Sequence, residues 1–318
     1  MILNIGLAII GFVLLIKCAD IFVEGSASLA RNFKVSTTII GLTVVSFGTS
    51  APEIAISFQT HASGHGDMLF GNVMGSSISN VLVILGLSIL IRPFRIEPEV
   101  IRKQIPILLL VTLGLSVLLL DTFFNKTLYN GLSRADGVIL LLFFLIFIYY
   151  LMTVIKSDKA NGHMVSQAKY KLPKSTVMII LGLAGILIGS HLIVNNVEAL
   201  ATTFGISQKI ISITIISIGT SLPELITTIV AAKKGENNLA IGNIIGANIF
   251  NICVVLGLPV VILGEVTTTA FTEIDVLFMI LSIVLLWITS ATAREIKRKE
   301  AVLFLMVYGA YVGYVLLV

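Results

Sequence analysis

The segment FGTSAPE at residues 47–53 recurs as IGTSLPE at residues 218–224, with five of seven positions identical. The same offset of 171 residues aligns GNVMGSSISN at 71–80 with GNIIGANIFN at 242–251, where five of ten positions are identical. The identities include Pro, Glu, Asn, Thr and Ser, whereas chance similarity between apolar segments gives scattered Leu, Ile and Val. The chain is therefore predicted to contain an internal duplication.

The composition indicates a membrane protein. Of the 318 residues, 57% are hydrophobic and only 12% are charged, against about 25% charged residues in soluble domains. The mean hydropathy is +1.05, and a soluble fold of this length could not bury so much apolar side chain. This hydropathy excludes a soluble enzyme and a disordered chain. The two cysteines cannot build a disulfide framework or a thiolate cluster, which excludes a disulfide scaffold.

Apolar runs long enough to cross a bilayer, about 20 residues each, predict an all-α integral membrane protein with ten transmembrane helices. These spans 1–10 are expected, in chain order, at 3–23, 36–59, 68–91, 105–121, 137–155, 174–194, 206–232, 239–263, 274–291 and 300–318.

Positive charge predicts the orientation of the chain. The loops after spans 1, 3, 5, 7 and 9 carry 17 of the 21 Lys and Arg, and the opposite set carries three. By the positive-inside rule the first set is cytoplasmic. We therefore expect a multi-pass protein of the cell membrane with both termini extracellular and the loop 156–173 in the cytoplasm.

Five spans in each copy mean that the second copy enters the bilayer from the opposite side. The fold is thus predicted to be two inverted-topology repeats of five helices, 1–155 and 174–318, joined by a cytoplasmic linker at 156–173. This architecture is typical of secondary transporters, which bind substrate near the bilayer midplane.

The repeated motif places a carboxylate inside the membrane in each half, Glu53 on span 2 and Glu224 on span 7. A buried carboxylate there is costly unless it has a partner. Pro52 and Pro223 cannot donate helical hydrogen bonds, so nearby carbonyls, including those of Thr49 and Thr220, should be loosened. The adjacent hydroxyls of Ser50 and Ser221 would complete a wall of oxygen atoms.

The second motif adds amides and hydroxyls on spans 3 and 8. Asn72, Ser76 and Asn80 are spaced by four and share one helix face. Asn80 and Asn251 fall near mid-span, whereas Asn72 and its equivalent Asn243 lie nearer the span starts. Helix packing is the alternative explanation for such amides, and it is weaker for the two that lie deepest.

These groups predict a site for hard cations. Calcium takes six to eight oxygen ligands, and two Glu with two main-chain carbonyls offer six. Zinc or copper would prefer His or Cys, and the four histidines map to loops or span ends. One divalent ion, several monovalent ions or two protons could each neutralise the two carboxylates, which is the chemistry of an antiporter.

The paired GTS-x-PE and GN-x-x-G motifs resemble the calcium:cation antiporter superfamily, and most closely its prokaryotic sodium/calcium exchangers. The resemblance covers the whole chain and implies exchange of Ca²⁺ for Na⁺ by alternating access, with spans 1 and 6 sliding as a gating bundle. It implies that Glu53, Glu224 and the main-chain oxygens of Thr49 and Thr220 bind calcium, and that Asn80 lines the site. Sodium sites would draw on a set of side chains or carbonyls from both halves, namely Ser46, Thr49, Ser50, Glu53, Ser76, Ser217, Thr220, Ser221 and Glu224.

Two positions depart from the family pattern. Position 251 is Asn where many prokaryotic relatives have Asp, which resembles the potassium-independent exchangers. Position 247 is Ala where its repeat equivalent, Ser76, and many relatives offer a hydroxyl. The resemblance therefore implies no potassium cotransport and a weakened sodium site.

Other functions fit the sequence less well than exchange of calcium for sodium. Proton-driven antiport of calcium or another divalent cation is the main alternative, because two buried glutamates could carry protons. A membrane enzyme lacks a base at the depth of Ser50 and Ser221, and a channel suits broken helices in inverted repeats less well. The expected partners are inorganic cations and the lipid bilayer, with no cofactor, no nucleic acid and no obligate protein partner.

Overall fold

The computed structural model describes residues 2–124, 126, 128–160, 167–204, 217–268, 271–293 and 295–317. Seven of its helices are long and apolar enough to cross a membrane, and an eighth span results if the helices Thr37–Thr49 and Ala51–Ala62, bent by 45°, count as one. The described residues thus support a multi-pass helical membrane protein, while the number ten stays a prediction. The first part of span 7 lies outside the described residues.

The helices follow the apolar runs. In the first half they are Ile2–Phe33, Thr37–Ile40, Ser46–Thr49, Ala51–Ala62, Gly66–Ser79, Gly86–Ile91, Ile105–Leu119, Asp121–Phe124 and Arg134–Ala160. In the second half they are Leu172–Thr203, Ser217–Thr220, Leu222–Lys234, Asn237–Phe250, Gly257–Leu263, Glu273–Ala293 and Arg298–Leu317.

Helix boundaries repeat at the sequence offset. Gly66–Ser79 becomes Asn237–Phe250, displaced by 171 residues at both ends, and the helix that ends at Thr49 becomes one that ends at Thr220. A π-helical turn at Asn80–Leu85 likewise recurs at Asn251–Leu256. Such π turns are frequent at functional sites, and here each begins at the deep asparagine of its motif.

Further π turns lie at Gly41–Val45 and Val100–Gln104. An all-α fold was predicted, but two short antiparallel ribbons join loops of the described chain. Phe94–Arg95 pairs with Glu295–Ile296, and Asn130–Leu132 pairs with Val266–Thr268.

Contacts divide the chain into two compact units. The first unit comprises Met1–Pro52 and Asp158–Asn243, and the second comprises Glu53–Ser157 and Ile244–Val318. Each unit therefore draws on both halves of the sequence. The repeats 1–155 and 174–318 were predicted from the sequence, and the units are defined by contacts between residues. The units therefore do not test the repeats.

The first unit is built on two long helices, Ile2–Phe33 and Leu172–Thr203, which pack antiparallel. Gly11 lies against Gly189, and near the other end of the pair Gly25 lies against Ser175. A Cβ added at Gly11 would lie 2.9 Å from the main-chain oxygen of Gly189, so only glycine permits this approach. The antiparallel direction agrees with the inversion that the span count predicts.

The first unit also contains an ion-pair cluster. Lys234 Nζ lies 2.9 Å from both Asp20 Oδ1 and Glu24 Oε1, and Lys169 Nζ lies 3.1 Å from Glu24 Oε2. Arg31 pairs with Glu236 at the same end of the unit. All of the basic residues in this cluster come from the predicted cytoplasmic set.

The second unit packs Gly66–Ser79 against Asn251–Leu256, and Arg298–Leu317 against Asn80–Leu85 and Gly86–Ile91. Its two ribbons follow the predicted sidedness. One joins the loops after spans 3 and 9, which are both predicted to be cytoplasmic, and the other joins the loops after spans 4 and 8, which are both predicted to be external. In each ribbon the two paired loops are predicted to lie on the same side of the membrane, which supports the predicted alternation of loops between the two sides.

Candidate cation site

Each GTS-x-PE motif interrupts its helix at the serine. Ser50 has φ −82° and ψ 12°, and Ser221 has φ −88° and ψ 5°. These values lie in the sparsely populated bridge region, where many active-site residues are found. The break falls two residues before the proline, whose missing N–H removes a helical hydrogen bond. The structure thus contains the paired helix breaks expected from Pro52 and Pro223.

The carboxylate of Glu224 lies in the first unit, enclosed beside Ser50. Ser50 Oγ donates a hydrogen bond to Glu224 Oε1 at 3.1 Å, and Glu224 is only 1% exposed. Its other carboxylate oxygen, Oε2, has no hydrogen-bond partner among the described residues. A buried carboxylate with an open coordination position is costly unless a proton or a cation completes it.

Thr49 is held by several acceptors of the first unit. Its hydroxyl lies 3.1 Å from the carbonyl of Val45, 3.3 Å from that of Ser46 and 3.4 Å from Asn243 Oδ1. A hydroxyl has one proton to donate, so it is engaged by these neighbours. The Thr49 proton is therefore directed to acceptors of the first unit, which leaves both the hydroxyl lone pairs and the main-chain oxygen of Thr49 as candidate ligands.

The carbonyl released by Pro223 has a partner that the sequence analysis missed. Proline lacks the N–H that would reach the carbonyl of Gly219, and Ser190 Oγ donates to this carbonyl at 2.9 Å. Freed carbonyls within a membrane require such a partner or a cavity. The sequence contains no clear signal for this bond, because the helix Leu172–Thr203 also contains other polar residues such as Ser175.

The first asparagine of each GN motif supports the turn that carries the glutamate. In the second unit, Asn72 Nδ2 lies 3.4 Å from the main-chain oxygen of Glu53 and 3.3 Å from Ser57 Oγ. In the first unit, Asn243 Nδ2 donates to Thr228 Oγ1 at 2.9 Å.

Ser57 and Thr228 are repeat equivalents, and each lies one helical turn after its glutamate. Neither residue belongs to the quoted motifs, so neither was predicted from the sequence. The equivalent hydrogen bonds in the two halves indicate that Asn72 and Asn243 hold the glutamate helices in place.

The deep asparagines of the second unit differ in their surroundings. Asn80 Nδ2 donates to Asn248 Oδ1 at 2.9 Å, and Asn248 Nδ2 donates to the main-chain oxygen of Ser77 at 3.0 Å. Asn251 is 1% exposed, and neither of its amide atoms has a hydrogen-bond partner within the described part of the chain. Asn248 lies inside the quoted motif at 242–251, but its role was not predicted from the sequence.

The other predicted ligands are buried as well. The exposed fraction is 1% for Glu53, and it does not exceed 8% for Ser46, Ser76, Thr220 and Ser221. Ser217 lies in the helix Ser217–Thr220, and its side chain lies outside the described residues. Among the described residues no group of three or more His, Cys, Asp or Glu could hold a metal, so a cation would depend on hydroxyl, amide and main-chain oxygens beside the carboxylates.

Comparison with known proteins agrees with this chemistry. The sodium/calcium exchanger protein family matches residues 3–153 and 174–317. The putative antiporter CaxA of Alkalimonas amylolytica is 38% identical over 315 residues, which cover 96% of this chain and 95% of that protein. The sodium/calcium exchanger MaX1 of Methanosarcina acetivorans is 31% identical, and 97% of each chain is covered.

Solved structures give the same result. The sodium-calcium exchanger NCX_Mj, soaked with Na⁺ and Ca²⁺, superimposes with a TM-score of 0.84 at 32% identity and with 98% of both chains covered. It therefore shares the membrane fold of this chain. With matches across nearly its whole length, the chain belongs to the sodium/calcium exchanger protein family.

Proposed function

We propose that this protein exchanges Ca²⁺ for Na⁺ across the cell membrane. The observation that carries the proposal is the enclosed carboxylate of Glu224, which bonds Ser50 through one oxygen and leaves the other without a protein hydrogen bond among the described residues. A hard oxygen in such a position suits a cation with oxygen ligands. The relatives named as exchangers support the same ions.

Calcium would bind to the carboxylates of Glu53 and Glu224 and to the main-chain oxygens of Thr49 and Thr220. Two carboxylates carry a charge of −2 when empty, and a single divalent ion neutralises it. Sodium ions would use the neighbouring oxygens of both halves, including Ser46, Ser50, Ser76, Ser217 and Ser221, with Asn80 and Asn251 lining the site. Because the two ions compete for the same carboxylates, loading one would release the other.

Transport would proceed by alternating access, with spans 1 and 6 as the moving pair. Their glycine-mediated contact within the first unit supports this role, since two helices packed backbone to backbone can move as one body. The hydrogen bond from Ser190 to Gly219 would couple that pair to the helix break before Glu224. Both termini would be extracellular and the loop 156–173 cytoplasmic.

The test is uptake of radiolabelled calcium into proteoliposomes that contain sodium inside, a proton gradient or neither. Wild type should accumulate calcium only with internal sodium, whereas Glu53→Gln and Glu224→Gln should each lose this uptake. Glu99→Gln is the matched control, because Glu99 forms an exposed pair with Lys103 on the surface. Such surface pairs contribute little, so this variant should transport as wild type does.

The proton-driven alternative predicts a different pattern. Uptake would then follow the proton gradient and ignore sodium, because the two glutamates would carry protons instead. Uptake that needs neither gradient, or no calcium uptake at all, would refute exchange of calcium by this chain.

A further inference from the structure

The amide of Asn248 is held between two groups of the second unit. Its Nδ2 donates to the main-chain oxygen of Ser77 at 3.0 Å, and its Oδ1 accepts from Asn80 Nδ2 at 2.9 Å. Asn248 is 0% exposed, and Ser77 and Asn80 are each 1% exposed. The three residues form a buried chain of hydrogen bonds between the two GN motifs.

The chemistry of this chain fixes the direction of both amides. A main-chain carbonyl can only accept a hydrogen bond, so the Asn248 atom that faces Ser77 must be the amide nitrogen. The oxygen of Asn248 then faces Asn80, and the Asn80 atom that meets it must also be nitrogen. The orientation follows from the acceptor at the end of the chain rather than from an arbitrary choice of amide rotamer.

One consequence concerns the remaining oxygen of Asn80. With its nitrogen turned towards Asn248, Asn80 presents Oδ1 elsewhere, and this buried oxygen has no hydrogen-bond partner among the described residues. Amide oxygens are ligands for hard cations. A buried acceptor without a donor is costly, and a cation bound beside it would remove that cost.

The equivalent position in the other half lacks this restraint. Asn251 is the repeat equivalent of Asn80, but the equivalent of Asn248 is Ser77, which takes part through its main chain. Neither amide atom of Asn251 has a hydrogen-bond partner within the described residues. Of the two deep asparagines, Asn80 therefore has an amide of fixed direction, whereas no hydrogen bond among the described residues orients the amide of Asn251.

We propose that Asn248 is a positioning residue for cation binding, which acts by holding the amide of Asn80 so that its oxygen faces the ion. The inference rests on the proposed function of this site as a cation exchanger. The role of Asn248 in this proposal is indirect, because both ends of its amide are engaged by Ser77 and Asn80. Its effect on binding therefore passes through Asn80.

A double-mutant cycle tests this dependence. Calcium binding to the purified full-length protein in sodium-free detergent solution would be measured for wild type, Asn248→Ala, Asn80→Ala and the double variant. Asn248→Ala should raise the calcium concentration at half-saturation by about tenfold, the size expected when one directing hydrogen bond is lost. In the Asn80→Ala background the same substitution should change it by less than about twofold.

The matched control is Asn130→Ala. Asn130 is also a buried asparagine of the second unit, with bonds to Thr122 and to the carbonyl of Phe271. Its loss should leave calcium affinity unchanged. If Asn248→Ala does not fold, Asn248→Ser, the residue that the first half carries at the equivalent position, replaces it in the cycle.

Each outcome decides the inference. Unchanged affinity in Asn248→Ala overturns it, and so does an equal loss in both backgrounds, which is what a merely structural role would give. Sodium-dependent calcium uptake, measured separately in proteoliposomes, decides the proposed function. Exchange in wild type together with an additive cycle would therefore reject the role of Asn248 alone.

Discussion

The hydroxyl of Ser190 donates a 2.9 Å hydrogen bond to the main-chain oxygen of Gly219, the carbonyl that Pro223 leaves without its helical donor. The equivalent of Ser190 in the first half is Ala19, which has no hydroxyl. The two helix breaks therefore share backbone angles at Ser50 and Ser221, but only the second is tied to a long helix by this bond. The two repeats thus have the same backbone geometry at the helix break, but they differ in the side chain that can bond the freed carbonyl.

Removing that hydroxyl should destabilise the protein. Ser190→Ala leaves the Gly219 carbonyl buried without a partner, which costs about 1–3 kcal/mol, and should lower the melting temperature in detergent by several degrees. Pro223→Ala restores an N–H that can reach this carbonyl, so Ser190→Ala should cost much less in that background. Thr176→Val, which removes an exposed hydroxyl that bonds its own helix, is the control. Equal losses with and without Pro223 would contradict the assignment.

The bond between Asn243 and Thr228 should be needed for calcium affinity. Thr228→Val keeps the shape of the side chain but removes the acceptor of Asn243 Nδ2, 2.9 Å away, so the Glu224 turn loses a support. Half-maximal calcium uptake should then need several-fold more calcium. Ser57→Ala should have a smaller effect, because the equivalent bond from Asn72 is longer, at 3.3 Å.

Thr112→Val is the control for both substitutions, since that buried hydroxyl bonds only the preceding turn of its helix. Calcium dependence in Thr228→Val that matches this control would argue against a supporting role for Asn243.

Ala247 offers a test of the sodium sites. It is fully buried and stands where its repeat equivalent has Ser76. Ala247→Ser adds one oxygen ligand, so we expect sodium to drive calcium uptake at a concentration several-fold lower than in wild type. Ser76→Ala should act in the opposite direction. A shift in calcium affinity with no change in sodium dependence would instead place position 247 outside the sodium sites.

The repeat explains how much of the fold is visible in the sequence. The helix Gly66–Ser79 and its copy Asn237–Phe250 share the polar pattern of one motif, and so their boundaries coincide at the offset of 171 residues. Helix breaks at Ser50 and Ser221 follow from proline chemistry, which is local. Local periodicity and the missing N–H group of proline can be recognised directly in the sequence. They are sufficient to predict these helices and their breaks.

Contacts between distant segments were harder to predict. Asn248 and Ser190 act through carbonyls of other helices, and no pattern within their own helices reveals such a partner. The short ribbons joining Phe94–Arg95 to Glu295–Ile296 were missed for the same reason, because two- or three-residue strands leave no alternation to read. The candidate ligands came from residue type, while their supports came only from the tertiary structure.

The ion-pair cluster around Lys234 gives a prediction about stability that does not depend on transport. Lys234 is 24% exposed and contacts both Asp20 and Glu24, whereas the Lys103–Glu99 pair is more open, at 57% and 38%. Networks of partly buried charges contribute more than isolated exposed pairs. Lys234→Met should therefore lower the melting temperature in detergent, and Lys103→Met should leave it nearly unchanged.

Salt and pH distinguish an electrostatic loss from a packing loss. The difference between Lys234→Met and wild type should shrink as choline chloride rises from about 0.05 to 0.5 M, because salt screens exposed charge; choline replaces sodium because sodium is a proposed substrate. Burial lowers the pKa of Lys234, but its bonds to Asp20 and Glu24 outweigh this and raise the pKa overall. The ammonium is then charged, and its contribution fully present, at every pH below the ordinary lysine pKa of about 10.4. The difference should accordingly stay constant between about pH 6 and pH 9, and a loss that ignores salt would assign the effect to the packing of the lysine stem.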